Sequence, residues 1–171
     1  KLSDRPGFRI GICWQGSPTH RDDQVRSFPL TNFARLARVD GVRLFSLQKG
    51  HGSEQIDALG GQFPLDDLQR EIGPDAEPWL DVAAIMKNLD LVVTCDTSVA
   101  HMAGALGVPV WVALAARLDW RWMLDRPDSP WYPTMRLFRQ QRLGDWEGVF
   151  RQMETELRTI VDPDRASTIK L

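Results

Sequence analysis

The stretch LDLVVTCDTSVAHMAGALGVPVWVAL, residues 89–114, limits the possible folds more than any other part of the chain. Its apolar runs DLVVTC (90–95) and VPVWVAL (108–114) are short and rich in strand-forming residues, which predicts two buried β-strands. The segment between them, TSVAHMAGAL (97–106), predicts a closely packed helix that ends at Gly107. A strand, a helix and a second strand in this order favour a parallel sheet.

The rest of the chain continues this alternation. Further strands are predicted at 8–14, 42–48 and 135–139, with a short strand possible around Phe63, and helices at 30–39, 54–60, 79–89 and 146–161. We therefore expect the α/β fold class, with a Rossmann-like parallel sheet and helices on both of its faces. A single domain should cover residues 1–162, followed by a loose tail at 163–171.

Two of the predicted helices have a clear inward face. In the helix at 79–89, the residues expected to face the core are Trp79, Val82, Ala83 and Met86. In the last helix, which Asp145 should cap, they are Trp146, Val149, Phe150, Met153, Leu157, Ile160 and Val161. Cys13 and Cys95 both fall in predicted strands, so we expect two buried free thiols rather than a disulfide.

Composition excludes several classes of protein. The formal net charge of -2 over 171 residues argues against a nucleic-acid-binding protein. No apolar run approaches the ~18 residues of a membrane-spanning helix. No signal peptide is visible, which favours a cytoplasmic location, and the chain starts at Lys1, which is consistent with a piece of a longer protein.

Polar residues follow the strand at 90–95, and they predict an anion site. Asp96 is expected to be the helix N-cap, with Thr97 and Ser98 in the first helical turn. The free N–H groups of that turn and the helix dipole favour a bound anion. His101 lies four positions after Thr97, and therefore on the same helical face. The alternative is an ordinary capped helix with a hydrogen-bonded histidine.

Two other strand ends carry polar segments. Lys49-Gly50-His51-Gly52-Ser53 follows the strand at 42–48 but matches neither a Walker loop nor the dinucleotide fingerprint. The loop at 15–29 contains Arg21 and Arg26, and long loops within a domain are often functional. Because parallel sheets bind ligands outside the carboxyl ends of their strands, these segments should converge. The alternative is solvated, charged loops.

Tryptophans cluster in the segment at 120–132, with Trp120, Trp122, Trp131 and the neighbouring Tyr132. Core packing is the favoured interpretation. A stacking surface for a base or a sugar, or a contact with a further domain, is the alternative. No metal site is predicted, because the one D-x-D pattern, Asp162-Pro163-Asp164, follows the last helix and the acid pairs at 22–23 and 66–67 lack a suitable arrangement.

Four separate motifs carry a resemblance to a known family. DLVVTCDTSVAHMAGALGVPVWVAL resembles the donor-binding motif of heptosyltransferase-like glycosyltransferases, glycosyltransferase family 9. ICWQGSPTHRDDQVRSFPL, FSLQKG and DWRWMLDRPDSPWYPTMRLFRQ are similar to a subgroup found at the carboxyl end of bacterial tetratricopeptide-repeat proteins. The resemblance implies the GT-B architecture, two Rossmann-like domains facing a cleft, with this chain as the second, donor-binding domain.

The resemblance also implies roles for individual residues. It places Asp96, Thr97 and Ser98 at the phosphates of a nucleotide-sugar donor, with His101 beside them, and Arg26 where heptosyltransferases have a phosphate-binding lysine. Glu54 would lie near an acid that holds the donor ribose, and Gln48 and Lys49 would lie close by. Heptosyltransferases usually have glycine at the position of Ser98, so this hydroxymethyl group either crowds the diphosphate or adds a hydrogen bond.

The function expected from the resemblance is the donor-binding half of a metal-independent glycosyltransferase, which uses a nucleotide-diphosphate sugar and no cofactor. The catalytic base would lie on an absent amino-terminal acceptor domain, so the fragment should be inactive alone. Its partners would be that domain, the repeats, and an acceptor protein or glycan. The alternatives are a GT-B sugar-nucleotide epimerase and a degenerate, non-catalytic domain that binds nucleotide or a partner.

Overall fold

The strands form one parallel sheet in the computed structural model, which describes residues 6–68, 78–116 and 119–162. The strands β1–β6 are Phe8–Cys13, Val42–Ser46, Asp66–Asp67, Leu91–Cys95, Val110–Leu114 and Met135–Arg139. The α-helices α1–α6 are Asp23–Arg26, Ala34–Ala37, Glu54–Ala58, Pro78–Met86, Ser98–Ala105 and Trp146–Val161. Two 3₁₀ helices, Leu30–Phe33 and Trp120–Trp122, complete the described elements.

The strand order is β3-β2-β1-β4-β5-β6, and every pair is parallel. β1 lies between β2 and β4, with Ile12 opposite Ser46 on one side and Val93 on the other. The chain first builds outward from β1 toward β3 and then returns to the other side of β1 to build toward β6. This reversal leaves a crevice at the carboxyl ends of β1 and β4, the usual ligand position in such sheets.

Both faces of the sheet are covered, as the apolar strands require. In β4, Val93 and Cys95 pack into a core cluster with Phe150 of α6, while Val92 packs into the opposite cluster with Ala103 of α5. β4 and β5 are fully buried along their length, which explains why both appear in the sequence as continuous apolar runs rather than alternating ones. The predicted fold class is confirmed.

The last helix matches its sequence pattern closely. Asp145 is its N-cap, because the Asp145 carboxylate accepts a 2.8 Å hydrogen bond from the Gly148 N–H. Val149, Phe150, Met153 and Leu157 are buried on its inner face. Ile160, expected to face the core, is instead about half exposed. In this last turn it is Val161 that packs against the core cluster.

Three local predictions need correction. Trp79 was expected in the core and is 61% exposed, because α4 packs through Val82 and Met86 and its first turn projects beyond them. Phe63 is buried as a loop residue, and the short strand starts later, at Asp66. The helix expected at 30–39 is divided into a 3₁₀ turn and the short α2, while α1 lies within the loop at 15–29, where no helix was predicted.

Other predictions are confirmed or lie outside the described residues. Cys13 and Cys95 are both free and buried, as expected. Among the helices in the described ranges, none combines the length and apolar character needed to cross a bilayer. The predicted loose tail at 163–171 lies outside the described residues.

Candidate functional site

Two adjoining cavities open at the carboxyl edge of the sheet. The larger has a volume of about 1000 Å³ and lies outside the ends of β4 and β5. The smaller, about 670 Å³, lies outside the ends of β1 and β2. Arg26, Thr97 and Ser98 line both cavities and therefore mark their junction. This junction is the crevice at the reversal of strand order.

Arg26 is held firmly at this junction. Its Nη1 donates a 2.8 Å hydrogen bond to the backbone carbonyl of Asp96, and its Nε lies 3.4 Å from Oδ1 of Asp23. The buried Asp23 carboxylate also accepts hydrogen bonds from Gln15 and Ser27, which fixes its own position. Arg26 Nη2 makes no hydrogen bond with the described residues, so it remains available to a ligand.

Gly16 leaves the space that the Arg26 side chain occupies. A Cβ atom at position 16 would lie only 2.4 Å from Arg26 Nη2, closer than any real contact allows. The loop at 15–29 is therefore shaped around the guanidinium group. Arg26 is therefore a placed side chain, whereas Arg21 in the same loop is 91% exposed, and the phosphate-binding role of Arg26 stays a prediction.

The start of α5 differs from the prediction. Thr97, rather than Asp96, occupies the N-cap position, with the extended backbone typical of that position (φ -141°, ψ 174°). The Asp96 carbonyl is held by Arg26, which keeps Asp96 one residue outside the helix. The Thr97 hydroxyl lies 3.2 Å from that of Thr94. Because no side chain in the described ranges caps α5, the first N–H groups of the helix stay available beside the exposed Ser98.

His101 has a hydrogen-bond partner and also borders a cavity, and its predicted place beside a bound anion stays a prediction. Its Nδ1 lies 3.1 Å from the hydroxyl of Tyr132, as in an ordinary hydrogen-bonded histidine. Its ring stacks on Trp122, with centroids 5.2 Å apart and planes 20° apart. His101 nevertheless lines the larger cavity, so Nε2 is the ring nitrogen left for a ligand.

The three candidates near β2 have different environments. Gln48 is buried and uses its whole amide, because Oε1 accepts hydrogen bonds from the backbone of Trp14 and Gln15 and Nε2 donates to two carbonyls. Lys49 is exposed and lines the smaller cavity. Glu54 lines neither of the two cavities, and its carboxylate accepts a 2.8 Å hydrogen bond from the Gly52 N–H.

The larger cavity also contains residues outside the predicted donor-binding set. Asp119 and Arg121 follow β5 and line it, as do His20 and Asp22 from the first loop. Burial alone would raise the pKa of Asp119, but hydrogen bonds from the Arg121 N–H and guanidinium outweigh burial and lower that pKa below its usual range. Asp119 is therefore ionised at neutral pH. Because ligands bind outside the carboxyl ends of parallel strands, inspecting the residues that follow β5 would have identified Asp119.

The Trp-rich segment divides into two environments. Trp122 is 1% exposed and packs in the core, as the favoured interpretation predicted. Trp120 is 70% exposed and Trp131 is 53% exposed, and their rings meet edge to face with centroids 6.4 Å apart. Trp120 also lines the larger cavity, and the Arg121 guanidinium lies over its ring. For these two residues the core prediction is wrong.

Three carboxylates near the site, those of Asp22, Asp23 and Asp119, pair with arginines. Within residues 6–68, 78–116 and 119–162, no three His, Cys, Asp or Glu side chains are grouped so that they could hold a metal ion. Asp22 pairs with Arg21 while Asp23 points into the network around Arg26, so the acid pair at 22–23 diverges. The D-x-D pattern at 162–164 lies largely outside the described residues.

Comparisons with known proteins point to one fold. No protein-family model matches the chain. Protein FlbA of Caulobacter vibrioides is 29% identical over 154 residues, which cover 90% of this chain and 25% of FlbA. The Escherichia coli heptosyltransferase WaaC, solved with ADP-2-deoxy-2-fluoro heptose, aligns over 88% of this chain and 44% of its own, with a TM-score of 0.61 and 17% identity.

Two further solved structures agree with this result. The E. coli ADP-heptose LPS heptosyltransferase II gives a TM-score of 0.57 at 20% identity, over 91% of this chain and 47% of its own. A glycosyl transferase family 9 protein from Veillonella parvula gives a TM-score of 0.51 at 16% identity, over 86% of this chain and 38% of its own. The chain thus spans less than half the length of these structures and a quarter of FlbA. Its six-stranded parallel sheet and flanking helices have the fold found in the GT-B heptosyltransferases.

Proposed function

We propose that this chain is the donor-binding half of a glycosyltransferase that takes its sugar from a nucleotide-diphosphate sugar without help from a metal ion. The observation that carries the proposal is the junction of the two cavities. There Arg26 and the uncapped start of α5 line both cavities, and His101 lines the larger cavity beside them. The WaaC structure contains an ADP-sugar analogue, which supports the same class of ligand here.

The chemistry of sugar transfer explains why these groups are needed. As the bond between the sugar and the diphosphate breaks, negative charge grows on the leaving diphosphate. Backbone N–H groups at a helix start and a fixed guanidinium stabilise that charge, because they are already oriented toward it. Each charge-assisted hydrogen bond contributes about 1.5–3 kcal/mol. Arg26, α5 and His101 therefore offer a route to departure of the leaving group that does not require a metal.

The two cavities differ in ways that suit the two ends of such a donor. Leu47, Val82 and the exposed Trp79 give the smaller cavity apolar walls suited to a nucleoside base. The larger cavity contains the carboxylates of Asp96 and Asp119, which accept hydrogen bonds from sugar hydroxyls. With the diphosphate at the junction, the base would occupy the smaller cavity and the sugar the larger one.

Transfer itself requires the remaining part of the protein. This chain covers less than half of each solved neighbour. We propose that the acceptor site and the base lie on an amino-terminal domain, as the family resemblance implies. Positioning of the two reactants contributes many orders of magnitude to the rate of a bimolecular reaction. We therefore expect this fragment to bind donor without transferring it. We propose that the parent protein belongs to the tetratricopeptide-repeat subgroup, is located in the bacterial cytoplasm, and transfers the sugar to an acceptor protein or glycan that its repeats present.

Calorimetry with ADP, UDP and GDP tests the proposal. At least one should bind the 171-residue chain, with the same affinity in EDTA as in magnesium, and His101→Ala should weaken that binding while the thermal unfolding transition is retained. If none of the three nucleotides binds the folded chain at millimolar concentration, the donor-site proposal is wrong. If EDTA abolishes binding and added metal restores it, metal independence is wrong.

A further inference from the structure

Tyr132 is the only tyrosine in the chain, and it lies against the candidate site histidine. Its hydroxyl is 3.1 Å from Nδ1 of His101, and the two rings meet edge to face with centroids 5.8 Å apart. Tyr132 lies in the segment between β5 and β6, 31 positions along the chain from His101. The contact is therefore created by the fold rather than by local sequence.

The surroundings keep the His101 ring in one orientation. Trp122, which is 1% exposed, stacks on one face of the imidazole. Gly104, one turn further along α5, makes room for the Tyr132 ring, since a Cβ atom at that position would lie 2.5 Å from Tyr132 Cγ. With Nδ1 held by Tyr132 and one face covered by Trp122, Nε2 is the ring nitrogen left for the cavity that His101 lines.

We propose that Tyr132 is a positioning residue for donor binding, whose hydroxyl keeps a hydrogen on Nε2 of His101 and holds that N–H at the larger cavity as a donor to the diphosphate. This inference rests on the proposed function. Tyr132 would act through His101 and would not need to contact the donor itself.

The chemistry of the hydroxyl makes this possible. A tyrosine hydroxyl is both a donor and an acceptor of hydrogen bonds. When the imidazole is neutral and the hydroxyl donates to Nδ1, the hydrogen of the ring is on Nε2. When the imidazole is protonated, the hydroxyl accepts from Nδ1–H, and Nε2 again has its hydrogen. A bound anion at Nε2 selects these two arrangements over the one in which Nε2 presents a lone pair.

The decisive variant is Tyr132→Phe, which removes the hydroxyl and leaves the ring against Gly104. Long-range ¹H–¹⁵N spectra of the imidazoles report which nitrogen has the hydrogen. We expect the neutral wild-type ring to have it on Nε2 and the variant to shift toward Nδ1. ADP affinity, or that of whichever nucleotide binds, should fall about five-fold in the variant, as expected for one hydrogen bond.

Two controls separate positioning from simple packing. Thr134→Val removes another hydroxyl of the same segment, which donates to the Val108 carbonyl at 2.9 Å, and it should alter neither the His101 spectrum nor nucleotide affinity. In the His101→Ala background, Tyr132→Phe should cause no further loss of affinity, because the residue through which Tyr132 acts is already absent.

Several outcomes would overturn the inference. One is a wild-type His101 whose neutral form has its hydrogen mainly on Nδ1. Another is a folded Tyr132→Phe variant with unchanged imidazole shifts, and a third is an equal loss of affinity with and without His101. If the wild type binds no nucleoside diphosphate, the proposed function and the donor-binding role fall together, whereas the imidazole spectra still show whether Tyr132 sets the tautomer.

Discussion

Polar residues follow both β2 and β4 at the carboxyl edge of the sheet. The two groups differ in how many of their hydrogen-bonding atoms are already bonded within the protein. After β2, both the oxygen and the nitrogen of the Gln48 side-chain amide form hydrogen bonds with backbone groups. Glu54 binds the Gly52 N–H. After β4, the exposed Ser98 has no hydrogen-bond partner for its hydroxyl within the described residues, and α5 has no side-chain cap there.

The difference shows that position at a strand end is not enough to identify a binding residue. A polar side chain whose hydrogen bonds are already satisfied within the protein stabilises the loop that contains it. A side chain that remains unsatisfied and reaches a cavity can bind a ligand without first breaking an existing contact. By this measure, we propose that Gln48 and Glu54 support the candidate site and that Arg26, Ser98 and His101 form it.

The largest effect, on the free energy of unfolding, is expected from removing the hydrogen bonds that the Gln48 amide forms with the backbone. Gln48→Leu leaves the N–H groups of Trp14 and Gln15 without their acceptor, and unsatisfied buried donors cost about 1–3 kcal/mol each. We expect the free energy of unfolding in urea to fall by about 3 kcal/mol. Gln152→Leu, on the exposed face of α6, should change it by less than about 0.5 kcal/mol.

Nucleotide affinity sharpens this comparison. Below its unfolding transition, the Gln48→Leu variant should retain most of its affinity for the nucleotide that the wild type binds. If its affinity falls by a larger free energy than its stability does, then Gln48 binds the ligand directly, and the distinction between the ends of β2 and β4 is wrong.

A smaller effect, measured as nucleotide affinity below the unfolding transition, is expected from Arg26→Ala. Loss of one charge-assisted hydrogen bond to the diphosphate should weaken nucleotide binding about 10- to 100-fold. Arg21→Ala is the matched control, because Arg21 lines the same cavity but its side chain is 91% exposed, and it should change affinity less than about three-fold. Equal losses in the two variants would indicate general electrostatic attraction and not a placed guanidinium.

The smallest effect is expected at the opposite edge of the sheet, where Asp90 precedes β4. Hydrogen bonds from the Arg9 side chain lower the pKa of Asp90, so the pair stabilises the fold above the ordinary aspartate pKa of about 3.9, and this contribution is lost as pH falls through the lowered value. Asp90→Asn should cost about 1 kcal/mol of unfolding free energy at pH 7 and less near pH 3, with nucleotide affinity unchanged.

Asp128→Asn is the control for this variant, because Asp128 forms a similar pair with Arg126 on an exposed loop and should contribute little to stability. A change in nucleotide affinity in Asp90→Asn would show that the two edges of the sheet are coupled. It would then contradict the assignment of ligand binding to the carboxyl edge alone.

Local sequence was sufficient to predict five of the six strands and most of the helices. The buried strands around Val93 and Val112 are continuous apolar runs, and Asp145 with the spacing from Val149 to Leu157 specifies the last helix. The local pattern did not predict which residues are buried at the ends of an element, because that burial depends on packing against distant parts of the chain. Trp79 was placed inside because its spacing fits the helix, although only the packing of α4 decides how far its first turn projects from the core.

For the candidate site, the sequence by itself determined which polar residues follow which strands, since that depends only on where each apolar run ends. The tertiary structure decided which of them are free. Arg26 meets Asp96 across 70 positions, Gln48 meets Trp14 across 34, and His101 meets Tyr132 across 31. Whether a hydrogen-bonding group already has a partner within the protein or remains available to a ligand depends on such distant neighbours, which no local pattern specifies.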